Sequence, residues 1–176
     1  GRLTWYKGTK ITIDALKMIK DKGERFKMIF VGKGNDVKDI ESYAKHIGIS
    51  KKCIFAGPIY DRELLRDYYS ASDLFLFPST YDTSGLVIME AAATGLPSVL
   101  IKNSCASEGI VNNHNGFLCE ENEKSLKSGN DKVINQAISK YVEANRNNPV
   151  SALSMLCFYV KKDATKDYDK LWKQLS

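Results

Sequence analysis

No stretch of this 176-residue chain is apolar for long enough to cross a bilayer. The longest apolar runs, such as Asp73-Leu-Phe-Leu-Phe-Pro78, are strand-length, well short of the roughly 18 residues a membrane helix needs. Charge of one sign does not dominate either. Lys and Arg number 26 against 21 Asp and Glu, a net +5 with the signs interspersed. That balance suits an anionic ligand or an anionic membrane surface. Without a basic run or a basic-aromatic motif it excludes a nucleic-acid footprint. Histidine is scarce: His46 and His114 stand far apart, so a histidine-based metal site is not expected. The cysteines, Cys53, Cys105, Cys119 and Cys157, match neither a zinc pattern nor a CxxC redox pair. Cys53 lies in an apolar run and reads as a small buried hydrophobe, and the compartment reads as reducing, hence cytosolic. Internal repeats and low-complexity segments are missing. Neither a methionine nor a signal sequence opens the chain at Gly1-Arg2-Leu3, which reads as cut from something longer. What remains is an ordinary globular composition, 43% hydrophobic and 27% charged, able to bury a core without staples.

Two periods alternate along the middle of the chain. Phe26–Gly32, Lys52–Gly57, Asp73–Pro78 and Pro97–Ile101 are continuous apolar runs, the pattern of strands buried on both faces. Between them lie amphipathic patterns. Ile11, Ala15, Leu16, Met18 and Ile19 form one, closed by Gly23; Val37, Ile40, Tyr43, Ala44 and Ile47 form another, closed by Gly48. Asp61 is placed to N-cap a helix carrying Leu64, Leu65, Tyr68 and Tyr69. Ser84 precedes a helix that begins near Leu86 and is closed by Gly95 and Pro97. Strand and helix alternating at this spacing predict right-handed βαβ units and an α/β fold: a doubly wound, Rossmann-like parallel sheet with helices on both faces. Ligands of such domains sit at the carboxyl ends of the strands. Further on, Gly116–Cys119 reads as a short strand, and Val133–Val142, Ser151–Tyr159 and Thr165–Leu175 read as helices.

The strand ends carry the chemistry. In Thr80-Tyr-Asp82-Thr-Ser84-Gly85-Leu86-Val87-Ile-Met-Glu90, Gly85 opens a helix whose free amides, from Ser84 to Val87, form an anion site. Glu90 lies one turn further in, where a carboxylate can accept two hydrogen bonds from a vicinal diol such as a ribose. Asp82 precedes the helix and can reach a ligand held by those amides. The plainer alternative makes Glu90 a surface acid and Asp82 a turn residue. Arg2 and Lys7 flank a turn before a helix and suit a phosphate, Arg as a fork and Lys as a point charge; alternatively they are solvated cations. Val31-Gly32-Lys-Gly34-Asn-Asp36 lacks the third glycine of a dinucleotide fingerprint, Val37 standing in its place. It is a weak Rossmann signal but a reasonable loop for close approach of a base or phosphate. Gly57-Pro58-Ile59-Tyr60 turns at the next strand end.

Taken in order, these motifs resemble the C-terminal, donor-binding domain of family-four retaining glycosyltransferases, over about Gly1 to Leu118. The block Gly85-Leu-Val-Ile-Met-Glu90-Ala-Ala-Ala-Thr-Gly95-Leu-Pro97 carries most of the likeness, with Asn115–Leu118 after it. Ser104–Ile110 is similar to a subgroup found in bacterial polysaccharide and surface-glycan enzymes. The resemblance implies one half of a GT-B fold, with residues 1–160 as the donor domain and 161–176 as a C-terminal helix that packs on an N-terminal domain. It implies that Arg2 and Lys7 neutralise the donor diphosphate and that Glu90 binds the ribose. The amides near Ser84, Gly85, Leu86 and Val87 would receive the distal phosphate and sugar, and the loops at Gly34 and Ile59 would bracket the base. Asp82 matches the first acid of the family's Glu-x7-Glu motif, which faces the transferred sugar, and is one methylene shorter than the family residue.

The activity so implied is sugar transfer from a UDP- or GDP-sugar to a glycan or lipid-linked acceptor, with retained configuration and no metal or other cofactor. The acceptor would be held largely by the other domain. The fragment alone is expected to be inactive, and the full protein to be cytoplasmic, at the inner face of the membrane if peripherally bound. The rivals are a sugar-nucleotide epimerase of the same fold, a non-catalytic nucleotide-binding module and an NAD-dependent oxidoreductase. The last is disfavoured by the broken glycine pattern. A receiver-type module would want acids where these strand ends carry Gly, Pro and Ser.

Overall fold

The computed structural model describes residues 1–81, 85–119, 152–154 and 157–159, the last two segments by their backbone. Asp82, Ser84 and the helices expected over Val133–Val142 and Thr165–Leu175 lie outside these residues.

Four helices, α1 (Thr9–Asp21), α2 (Val37–His46), α3 (Arg62–Ser70) and α4 (Leu86–Ala93), alternate with strands β1 (Met28–Val31), β2 (Cys53–Gly57), β3 (Phe75–Phe77), β4 (Ser98–Ile101) and β5 (Gly116–Cys119). β1 and β2 pair in parallel, and β5, β4 and β3 form a parallel run in that order. Every residue of β1, β3 and β4 is buried, because helices cover both faces of a parallel sheet. α1 contributes Ile13, Ala15, Leu16 and Ile19 to the core and α2 contributes Ile40 and Ala44. Burying a side chain the size of Phe30, which is fully enclosed, is worth about 1.5–3 kcal/mol.

Two expectations are corrected. The run Lys52–Gly57 becomes a strand, but a half-buried one, because among the described residues β2 pairs only with β1 and lies at the sheet's rim. Its Phe55 stacks on Phe30 at 4.7 Å between ring centroids and so covers one face. The segment Ser151–Tyr159 is strand, not helix, over its described residues 152–154 and 157–159. It forms β6 (Ala152–Ser154), parallel to β3, and β7 (Cys157–Tyr159), antiparallel to β6. A short apolar run cannot be assigned to helix or strand by its period. Here the open ladder groups on the side of β3 away from β4 select the strand. β1 lies beside β6 and β7, so the two sheets meet there.

Local chemistry sets the helix ends. Asp61 caps α3, its Oδ1 accepting from the amides of Glu63 and Leu64 at 2.8 and 2.9 Å. Asp36 precedes α2, yet its Oδ2 accepts instead from the Trp5 amide at 2.9 Å, tying the glycine-rich loop to the first turn of the chain.

Candidate functional site

The N-terminal segment runs alongside the carboxyl end of β1, Gly1 donating to the Val31 carbonyl at 3.2 Å. Leu3 donates to the Lys33 carbonyl at 3.0 Å and Lys33 donates to the Gly1 carbonyl at 3.3 Å, so that Arg2 and Lys33 form a parallel bridge. A Cβ on Gly34 would overlap the Leu3 carbonyl. The missing side chain therefore admits the chain's own backbone on that side, a use that the fingerprint-like spacing did not reveal. Lys33 in turn reaches Tyr60, Nζ to hydroxyl 3.2 Å. The loops of Gly34 and of half-buried Ile59 thus stand side by side, as their placement at adjacent strand ends requires.

Arg2, Tyr6 and Lys7 make one cluster, with Arg2 and Tyr6 exposed and Lys7 half-buried. A hydrogen bond from Arg2, then one involving Thr4, and the charges of Lys7 and Arg2 hold the Tyr6 phenol below its ordinary pKa. Lys7 Nζ lies 5.4 Å from the Tyr6 ring. Tyr6 was not singled out from the sequence; its signal was its place between the two cations. The turn Trp5–Lys7 ends at Gly8, in a left-handed conformation with φ +78°. A Cβ there would overlap the Pro78 carbonyl. That approach seats the cation turn against the end of β3, which leads to the loop containing Asp82 and Ser84.

Gly85, at φ +54°, is the N-cap of α4 and has no side chain to cap it. Its carbonyl accepts from the Ile88 amide at 2.8 Å. The amides of Leu86 and Val87 precede the first intrahelical donor. The turn Cys105–Ser107 backs this helix end, with Ala106 in ordinary contact range of Gly85. Glu90 projects from α4 towards α3 and is half-buried. Its Oε2 accepts from the Tyr69 hydroxyl at 3.1 Å, and its Oε1 lies 3.7 Å from Arg62 Nη1. Tyr69 is buried, and its hydroxyl is pushed well above its ordinary pKa by burial and then by the Glu90 charge. Neither Tyr69 nor Arg62 stood out as a site residue. In sequence Tyr69 is one of several apolar residues on its helix, and only the packing of α3 on α4 brings it to Glu90.

The carboxyl ends of the strands therefore carry the Gly34 and Ile59 loops after β1 and β2, the Arg2–Lys7 turn, which Gly8 seats against Pro78 after β3, and the start of α4, with Glu90 on the side of α4 that meets α3. That is the ligand edge of a doubly wound domain, furnished with donors for an anion and one carboxylate acceptor. Residues 1–149 match the family model described as "Glycosyl transferases group 1", and the chain belongs to that family. It is 30% identical over 131 residues to the amylovoran biosynthesis glycosyltransferase AmsK of Erwinia amylovora, a match covering 69% of this chain and 31% of that protein. The structure of HepE of Anabaena in complex with UDP superposes with a TM-score of 0.67 at 27% identity, covering 83% of this chain and 38% of that one. The C-terminal domain of the group 1 glycosyl transferase LpcC from Francisella tularensis superposes with a TM-score of 0.61 at 25% identity, covering 83% of each chain. The α/β fold is that of GT-B glycosyltransferases. The chain spans about a third of the length of the curated relatives it matches.

Proposed function

We propose that this chain is the donor-binding domain of a retaining glycosyltransferase that moves a sugar from a UDP- or GDP-sugar to a glycan or lipid-linked acceptor in surface polysaccharide synthesis. The observation that carries this reading is the Arg2–Tyr6–Lys7 cluster, seated through Gly8 against Pro78 at the end of β3, with the uncapped start of α4 following the same strand. A nucleoside diphosphate is the leaving group of such a reaction. As the bond from the anomeric carbon to the diphosphate oxygen breaks, negative charge grows on the diphosphate. Preorganised cations and helix amides lower the energy of that charge. Arg2 and Lys7 act as the cations, and the amides of Gly85, Leu86 and Val87 receive the distal phosphate and sugar. Asp82 orients the sugar, and the acceptor hydroxyl oxygen forms the new bond to the anomeric carbon on the face the nucleotide left, its proton passing to the departing diphosphate oxygen. Glu90 accepts from the ribose hydroxyls, and the loops at Gly34 and Ile59 flank the base.

Residues 1–160 form the donor domain in this reading, and 161–176 a helix for an N-terminal domain that holds the acceptor. Support comes from the likeness to a C-terminal domain from the same family, from the UDP carried by a structural neighbour and from the polysaccharide role of a relative. No metal or organic cofactor takes part: the two cations and the helix start supply the positive charge. The full protein works in the cytoplasm, at the inner face of the membrane if it binds there peripherally. No helix among the described residues is long and apolar enough to cross one.

The test is a titration of the chain with UDP, GDP and ADP, followed by amide NMR. One of the three shifts the amides of Gly85 to Val87 at sub-millimolar to millimolar ligand. No shift there with any of them overturns the reading.

A further inference from the structure

Glu90 is bound unequally on its two oxygens. On one side stands Tyr69, with 2% of its surface exposed. Its ring packs edge-on against Phe75 at 5.9 Å and 65°, and Phe75 is a fully enclosed residue of β3. Two torsions and a packed core therefore fix where the Tyr69 hydroxyl points. On the other side stands Arg62, whose side chain is 87% exposed and 3.7 Å away, a solvated pairing that contributes little. A glutamate has a flexible stem and a broad terminal torsion, so an isolated Glu90 would sample many orientations. The contact from α3 removes most of that freedom on Oε2 and leaves Oε1 with an exchangeable partner.

We propose that Tyr69 is a positioning residue for Glu90, holding the carboxylate through Oε2 so that it can receive the ribose hydroxyls of the donor nucleotide while Arg62 gives way. The inference rests on the reading of Glu90 as the ribose acceptor. The hydroxyl remains a donor at any working pH, because burial and the adjacent carboxylate both oppose its ionisation. Tyr69 touches no reacting atom in this scheme. Its effect passes through Glu90 and is confined to the part of the ligand that Glu90 reads.

The experiment is calorimetric titration of the 176-residue chain with UDP, GDP and ADP and with their 2′-deoxy and 3′-deoxy counterparts. The parent chain, Tyr69→Phe, Tyr68→Phe and Glu90→Gln are compared. Glu90→Gln reduces the preference for ribose over deoxyribose. Tyr69→Phe reduces that preference by about tenfold, the worth of one hydrogen bond to a charged group. It leaves affinity for the deoxy forms nearly unchanged, which a general loosening of the helix would not do. Tyr68→Phe removes a hydroxyl from the next position of the same helix and keeps the preference. If Glu90→Gln lowers the preference and Tyr69→Phe does not, or if Tyr69→Phe weakens ribo and deoxy forms alike, the positioning role is overturned while the ribose reading stands. If Tyr68→Phe lowers the preference as much as Tyr69→Phe, the positioning role is again overturned. If Glu90→Gln itself leaves the preference unchanged, the ribose reading fails and the role of Tyr69 fails with it.

Discussion

At the scale of single residues, Glu90 and Asp82 separate by what each would read. Glu90→Gln turns one acceptor oxygen into a donor amide and weakens every nucleoside diphosphate by about 1–3 kcal/mol, since ribose is common to all of them. Asp82→Asn leaves UDP and GDP binding nearly unchanged and weakens the corresponding nucleotide sugars. Titrations with and without the sugar decide the matter, and equal losses in both would end the division of labour. Gly34 shows a different kind of constraint. The Leu3 carbonyl fills the space where its Cβ would stand, and that neighbour is backbone, which cannot rotate away. Gly34→Ala is expected to cost about 1–3 kcal/mol in denaturant unfolding, as overpacking does, and to weaken nucleotide binding by displacing Arg2. A cost below a few tenths of a kcal/mol would show that the N-terminal segment does not pack there in solution. The glycine was visible in the sequence, but its neighbour 31 positions earlier was not.

At the scale of elements, α3 matters because it presents Arg62 and Tyr69 to Glu90. Its first turn depends on Asp61, which holds two otherwise unpaired amides. Asp61→Ala costs about 1 kcal/mol of stability, the usual worth of an N-cap, and Asp61→Asn recovers most of it. Thermal melts of the two variants check this, and equal melts would remove the cap from the account. Helix positions were legible because each has a periodic apolar face between breakers: Ile40 and Ala44 on α2 are buried as their spacing requires. Leu64 on α3 fits the same pattern and is nonetheless exposed, because the described helix turns Tyr68 and Tyr69 inward instead. Period alone ranks neither of these alternatives above the other. The strands β6 and β7 fail for a related reason, since a few apolar residues satisfy helix and strand equally until a partner strand is supplied.

At the scale of the whole molecule, the core leaves a signature in pH. Burial pushes the Cys119 thiol from its ordinary value near 9 up to about 12, and burial does the same to Cys53 despite an opposing effect of Lys27. Above pH 9 the unfolded chain releases these protons while the folded chain keeps them. Unfolding is then favoured as pH rises, and stability falls between about pH 9 and 12. Both thiols are raised alike, so each contributes to the alkaline slope. Denaturation midpoints at several pH values, compared between the parent and Cys119→Ala, test this: the variant's alkaline slope is shallower, and an identical slope would contradict it. Of Cys53, Cys105 and Cys119, Cys105 alone is exposed. Alkylation at neutral pH is therefore expected to modify Cys105 before Cys53 or Cys119. The chain spans about a third of its curated relatives, and sugar transfer is expected to require the remaining portion. Transfer by these 176 residues alone would refute the proposed division between donor and acceptor domains.

The sequence by itself determined the α/β class, the order of the first four strands and helices, and which residues stand at the strand ends. These are local properties: apolar period, glycine at left-handed corners, a capping aspartate, and polar residues at strand ends. Tertiary structure decided which of those residues are neighbours. It set the Lys7 turn against Pro78 through Gly8, closed Gly34 over Leu3 and brought Tyr69 to Glu90 from another helix. Those contacts join residues tens of positions apart, and no period or motif within one segment encodes a distance to another. They follow only when the sheet order places one loop beside the next and the helices pack across them.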